Sequence, residues 1–201
     1  MNTLIPILKQ ALLDADDKMS MLSGRQISIQ DVTFRSVPLN EIGGVFSAEE
    51  EVLFGIGMTL IDNPHLRYLM LLTHEGRDHI VSSVAGIDAI HDAPLANSLL
   101  EEVGNIFGST VANFFASSLS RSITTGVPEL IADMAGAIIS SAMCEFEDIG
   151  DQVWLCDVAM FAQDREIDCR ILLLFDEELE ESINRVNERQ PNLNTVTTGG
   201  N

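Results

Sequence analysis

The stretch Asn97–Glu129, NSLLEEVGNIFGSTVANFFASSLSRSITTGVPE, decides how this chain of 201 residues is read. Leu99, Val103, Ile106, Phe107, Val111, Phe114 and Phe115 recur at helical spacing, so one wide stripe of a helix is apolar. Glu102 and Asn105 stand three residues apart and face the same way on that helix, with Ser98 one turn earlier on the same line. The helix therefore carries a short polar row, Ser98, Glu102 and Asn105, at the margin of its buried face. Gly104 and Gly108 lie beside the row. A glycine inside a helix costs about 1 kcal/mol relative to alanine, so this pair predicts that a backbone or a partner comes close. The chain then crosses irregularly through Ser120–Val127, and Pro128 suits the first turn of a new helix.

Upstream of this stretch, Thr3–Leu22 has helical periodicity and Gly24 ends it. Ile27–Val37 alternates as a strand, and Pro38–Phe46 is loop-like. Glu51–Ile61 and Leu66–Thr73 form a predicted hairpin with Asp62-Asn63-Pro64 as its turn. Thr73 can cap a helix running to about Ile90, after which Asp92 and Pro94 open the central helix. Downstream, a helix is expected from Pro128 to about Phe146, then an acidic loop, Glu145–Asp151. Gln152–Ala162 and Ile167–Phe175 make a second hairpin turning at Asp164-Arg165, and Asp176 caps a last helix to about Arg189. The tail from Pro191 has too little apolar content to pack, so disorder is expected over 191–201.

The second half repeats the order of the first. Leu69-Met-Leu-Leu-Thr73 matches Leu172-Leu-Leu-Phe-Asp176 at an offset of 103, which also pairs Arg67 with Arg170 and Ile80 with Ile183. Leu22-Ser23 matches Leu119-Ser120 at an offset of 97.

Ser98, Glu102, Asn105 and Pro128, at these separations, resemble the signature of the CheC-type phosphatases of bacterial and archaeal chemotaxis, the family of CheC, CheX and FliY. The wording Glu102-Val-Gly-Asn105-Ile and the run Pro128-Glu-Leu-Ile-Ala-Asp-Met-Ala-Gly-Ala are similar to that family as well. The resemblance implies an α+β fold, internally duplicated and pseudo-twofold, with an antiparallel β-sheet and two long surface helices. It implies one domain over residues 1–190, with pseudo-repeats at about 3–91 and 92–190. It also implies hydrolysis of the aspartyl phosphate on a CheY-type response regulator. Asn105 would orient the attacking water and Glu102 would pair with a lysine of the regulator. Ser98 would contact the regulator or hold Glu102, Gly104 and Gly108 would let its loops approach, and Pro128 would shape the following helix. Mg²⁺ would belong to the regulator, so no metal and no cofactor of the chain's own is expected. CheD and a second copy of the chain are further partners the resemblance brings in. Family members often carry the signature twice. Here an offset of 97 places Met1, Ile5, Leu8 and Asp31 at the matching first-half positions, and none fits. One site is therefore expected, and Ile5 and Leu8 are candidates to pack against another chain. The alternative reading is a non-enzymatic module that docks a regulator, CheD or a flagellar switch component.

Composition bounds the rest. Apolar residues form 46% of the chain, ample for a core, while a formal charge of −20 disfavours nucleic acid and anionic membranes. Three cysteines, Cys144, Cys156 and Cys169, lack metal or redox spacing and predict a reduced, cytoplasmic setting, and no export signal or spanning segment is read. His74 and His79 are five apart, which is not ligand spacing on a helix, and Cys156 and Cys169 are read as core.

Overall fold

The structure, a computed structural model, describes residues 5–24, 26–45, 52–61, 66–144, 152–162, 165–175, 178–179, 181–182 and 185. Two helices, α1 (Ile5–Asp14) and α2 (Asp16–Leu22), divide at Ala15 the single helix expected from the periodicity. A contact from beyond the helix accompanies the break: Asp16 turns its carboxylate onto the Ile29 amide, 2.5 Å away on the next strand. Strand β1 (Ile27–Pro38) leads through a 3-10 helix, Leu39–Val45, to the hairpin β2 (Val52–Thr59) and β3 (Leu66–Leu72). Helix α3 (His74–Ala85) starts where expected, with the Thr73 side chain accepting from the Gly76 amide. It ends before Ile90, because Gly86 takes a positive φ of 87° and the chain continues as a 3-10 helix, Ile87–His91. Helix α4 (Ala93–Leu119) is the long central helix, opened by Asp92 accepting from the Leu95 amide.

The expected helix from Pro128 is corrected. Glu129–Met134 is strand β4, and helix α5 runs only over Ala135–Cys144. The reason lies outside the segment. Before it reaches Pro128, the chain is already tied antiparallel to the end of β2: Ile61 N–H donates to the Thr124 carbonyl, and Gly126 N–H donates to the Thr59 carbonyl. The outer edge of β2 then offers amides and carbonyls that need partners. Leu130 to Met134 satisfy them in register, Ile56 opposite Leu130 and Val52 opposite Met134. Pairing of this kind overrides local helix preference. Strands β5 (Gln152–Ala162) and β6 (Arg165–Phe175) form the second hairpin, and Arg165, expected in the turn, is already paired with Ala162. The turn at Asp62–Pro64, the loop Glu145–Asp151, the cap at Asp176 and the tail from Pro191 lie outside the described residues.

All six strands pair antiparallel in one sheet of order β1-β5-β6-β3-β2-β4. Exchanging β1 with β4, β5 with β2 and β6 with β3 reproduces this order in reverse, so the sheet has a pseudo-twofold axis between β3 and β6. At that seam Leu69 faces Leu172. These are the residues that the offset of 103 equates, and they sit on the axis. Each half also lends its outer strand to the other half's hairpin, β1 to β5 and β4 to β2. One sheet face packs under α1–α4 around Ile56, Met70, Phe107 and Ile171. The other packs on its own cluster of Leu69, Leu155, Leu172 and Ile138 of α5. None of the described helices is long and apolar enough to cross a membrane.

Candidate functional site on helix α4

Helix α4 lies on β2, and two glycines set how closely. A Cβ built on Gly104 would stand 2.3 Å from Ile56 Cγ2, and one on Gly108 would stand 2.7 Å from Met58 Sδ. Gly104, Gly108, Val103 and Phe107 are buried beneath the helix. The close approach predicted from the glycines is thus made by the chain's own sheet. It cannot serve a partner's loops, which corrects that part of the expectation.

The outer side of α4 carries the polar row. Ser98 and Glu102 are exposed and Asn105 is half-buried. Neighbours at this spacing have Cβ atoms roughly 5–6 Å apart, close enough for carboxylate and carboxamide to address one bound group. The row flanks the glycine stripe, so the packing that pins Gly104 to Ile56 also fixes the backbone from which its neighbour Asn105 projects. Ser109, not singled out by the sequence pattern, continues the row one turn beyond Asn105. It is half-buried and its hydroxyl donates to the Asn105 carbonyl. Only the signal of spacing, four residues past Asn105, could have found it.

Pro128 is half-buried and precedes Glu129, which pairs with Gly57 between Ile56 and Met58. The register therefore brings Pro128 to the part of β2 that carries Gly104 and Gly108, although it is 23 residues from Asn105 in the sequence. It enters a strand, not a helix.

The corresponding first-half surface is built differently. The positive-φ residues that follow the two helices, Gly24 (φ 59°) just after the Ser23 cap of α2 and Ser120 (φ 52°) at the end of α4, match at an offset of 96, one less than the sequence match suggested. In that alignment Pro6 stands where Glu102 does, Lys9 where Asn105 does, and Leu8 and Leu12 replace the two glycines. Lys9 is held by Asp31 at 2.7 Å. Its ammonium, which also donates to that carboxylate, holds the Asp31 carboxyl below its ordinary range. Leu8 is only 5% exposed, packed in the chain's own core. It is not available to another chain, which corrects the expectation made for it.

The polar row lies on a helix face. Two depressions of about 450 and 240 Å³ are lined by β1, β5 and β6 and by β2–β4 with α5, and neither includes a residue of α4. Among the described residues, no group of three or more His, Cys, Asp or Glu could hold a metal ion. His79 makes contact instead with Arg165, its Nε2 3.4 Å from the guanidinium. Cys156 and Cys169 are buried, as expected, and burial pushes both thiols well above their ordinary range.

Comparison with known proteins meets this geometry. Over 80 residues, 40% of this chain and 38% of the other, the sequence is 28% identical to the CheY-P phosphatase CheC of Bacillus subtilis. Over 176 residues, 85% of this chain and 87% of the other, it is 22% identical to a Halobacterium salinarum protein named CheC1. The chain is CheC-like. FliY of Thermotoga maritima has the same fold, with a TM-score of 0.64 at 14% identity over 89% of this chain and 90% of that one. No family model matches the sequence. The match to the Bacillus protein spans little more than a third of that protein's length.

Proposed function

We propose that this CheC-like chain hydrolyses the aspartyl phosphate of a CheY-type response regulator, with one site on the outer face of α4. The observation that carries the reading is the placement of Glu102 and Asn105, side by side on that face and neither buried by the chain itself. The two relatives similar in sequence both carry this activity, CheY-P phosphatase, in their names. A helix face that presents its polar groups outward suits a substrate that brings a concave site with it, as a phosphorylated regulator does.

In this mechanism the Asn105 carboxamide accepts from and donates to a water held in line with the phosphorus. The water oxygen forms the new P–O bond, and the bond to the regulator's aspartate breaks. The aspartate leaves as a carboxylate, and both of the water's protons pass out with inorganic phosphate. A neutral amide orients the water without presenting a full negative charge to the phosphoryl oxygens, the part that a glutamine plays in GTPases. Glu102 pairs with a cation beside the phosphorylated aspartate and fixes the docking. Positioning supplies the acceleration. Ser98 lies at the edge of the docked face.

The test is decay of a phosphorylated CheY-type regulator from the same genome, with and without the chain. The native chain is expected to speed the decay. Asn105→Ala should lower the catalysed rate about 100-fold with docking retained, whereas Glu102→Ala should weaken docking as well. Binding of the phosphorylated regulator without faster decay would instead make the chain a docking module.

A further inference from the structure

We propose that Ser109 is a positioning residue for Asn105, an inference that rests on the reading of α4 as the working face. Two successive hydroxyls on this helix are turned back onto the carbonyls four residues earlier. Ser109 donates to the Asn105 carbonyl, and Thr110 donates to the Ile106 carbonyl at 2.8 Å. The two accepting carbonyls stand within the segment that Gly104 and Gly108 press against Ile56 and Met58, and the hydroxyls directly follow it.

A serine or threonine that back-bonds in this way competes with the helical amide for the carbonyl and often bends a helix. Here the two bonds fall on the turn that presents the carboxamide. The inner side of that turn is fixed by the sheet, because Gly104 has no side chain and rests on Ile56. The outer side has no such packing, since Glu102 is exposed and Asn105 half-buried. The hydroxyl of Ser109 supplies the missing constraint there. It gives the Asn105 carbonyl a second donor and holds the backbone from which the carboxamide projects. Ser109 is also small, so the row stays open at its end. The two hydroxyls serve different sides of the helix. Thr110 is 9% exposed and belongs to the buried side, whereas Ser109 borders the row itself.

Four variants test this by separating hydroxyl from volume. Ser109→Ala and Ser109→Val lack the donor, Ser109→Thr keeps it in the shape of valine, and Asn105→Ala is the reference for a lost amide. Three readings are taken on each: the kinetics of regulator dephosphorylation, the melting temperature, and the NMR shifts of the Asn105 carbonyl carbon and side-chain amide. The expected pattern is a roughly 3- to 10-fold drop in kcat for alanine and valine, on the scale of a lost positioning contact, with KM unchanged. Threonine should match the native chain, and Asn105 resonances should move in the alanine and valine variants but not with threonine. Unmoved Asn105 resonances in both would overturn the assignment. A rise in KM at unchanged kcat would also overturn it, making Ser109 a contact of the regulator. If the native chain accelerates no decay, the phosphatase reading fails, while the NMR arm still decides whether Ser109 holds Asn105.

Discussion

Replacing Gly104 by alanine sets two effects against each other that the structure can rank. In an open helix the change should stabilise by about 1 kcal/mol, because alanine is the better helix former. At Gly104 the new methyl would meet Ile56 Cγ2 at 2.3 Å and Ile56 Cβ at 3.2 Å. Carbon atoms settle at about 3.5–4.0 Å, so the nearest contact must open by more than about 1 Å. Ile56 is fully buried and forms the floor of the core. It cannot swing into solvent, and α4 must lift from β2. Overpacking of this size costs about 1–3 kcal/mol, and some of it is offset by the gain in propensity. The expected net change is a loss of up to about 2 kcal/mol, read as a lower denaturant midpoint at unchanged slope. Gly136 in α5 is the control, since a Cβ there meets nothing within 4 Å. Gly136→Ala should therefore stabilise by about 0.5–1 kcal/mol. Adding Ile56→Ala removes the clashing Cγ2, so the double variant should lose less than the sum of the single changes. That coupling is measured by a double-mutant cycle. If Gly104→Ala stabilises like Gly136→Ala, or if the cycle is additive, helix α4 does not rest on Ile56 as described.

Three further outcomes are expected. Cys144 is exposed while Cys156 and Cys169 are buried with raised thiol pKa values, so a thiol reagent at neutral pH should modify one cysteine of the folded chain and three after denaturation; rapid modification of three in the native state would contradict the packing. The Tyr68 hydroxyl is buried without a hydrogen-bond partner among the described residues, so Tyr68→Phe should stabilise by about 1 kcal/mol, against a loss if the hydroxyl is satisfied. The Asp31 carboxyl is lowered by Lys9, so the pair's contribution to stability is present above the ordinary aspartate pKa and fades as pH falls through the lowered value; Asp31→Asn should flatten that acid limb of the stability curve, and an unchanged limb would refute the linkage.

Much of the fold was legible because its signals were local. Thr73 and Asp92 announce helix starts through side chains that cap the next turn, and both do so in the structure. The strands of both hairpins follow runs of apolar residues, and the Leu69–Leu172 seam is the point of the sequence repeat. Two of the failures share a cause, which is pairing with something distant in sequence. The segment after Pro128 has small aliphatic residues that suit a helix, but the free edge of β2 claims it as β4. The break at Ala15 depends on Asp16 reaching the Ile29 amide across 13 residues. The polar row was legible from spacing alone. The partner of Gly104 and Gly108 was not, because nothing in the helix says that Ile56 and Met58 lie beneath it.

The two halves differ in a way that explains why a duplicated fold presents one such face. On α4 the side toward the sheet is relieved by glycine, the helix sits low on β2, and the outer row is polar. On α1 the equivalent inner positions are Leu8 and Leu12, both buried, so the helix is held by its own side chains. A helix whose inner side carries leucines cannot make the backbone approach that glycine allows, and its outer positions are filled by Pro6 and by Lys9, which Asp31 engages. Restoring glutamate and asparagine at Pro6 and Lys9 would therefore not recreate the second-half surface. The inner side of the helix would still carry Leu8 and Leu12, and Asp31 would be left without its cation. The inner glycines and the outer amide act as one unit, and the first half lacks both parts of it.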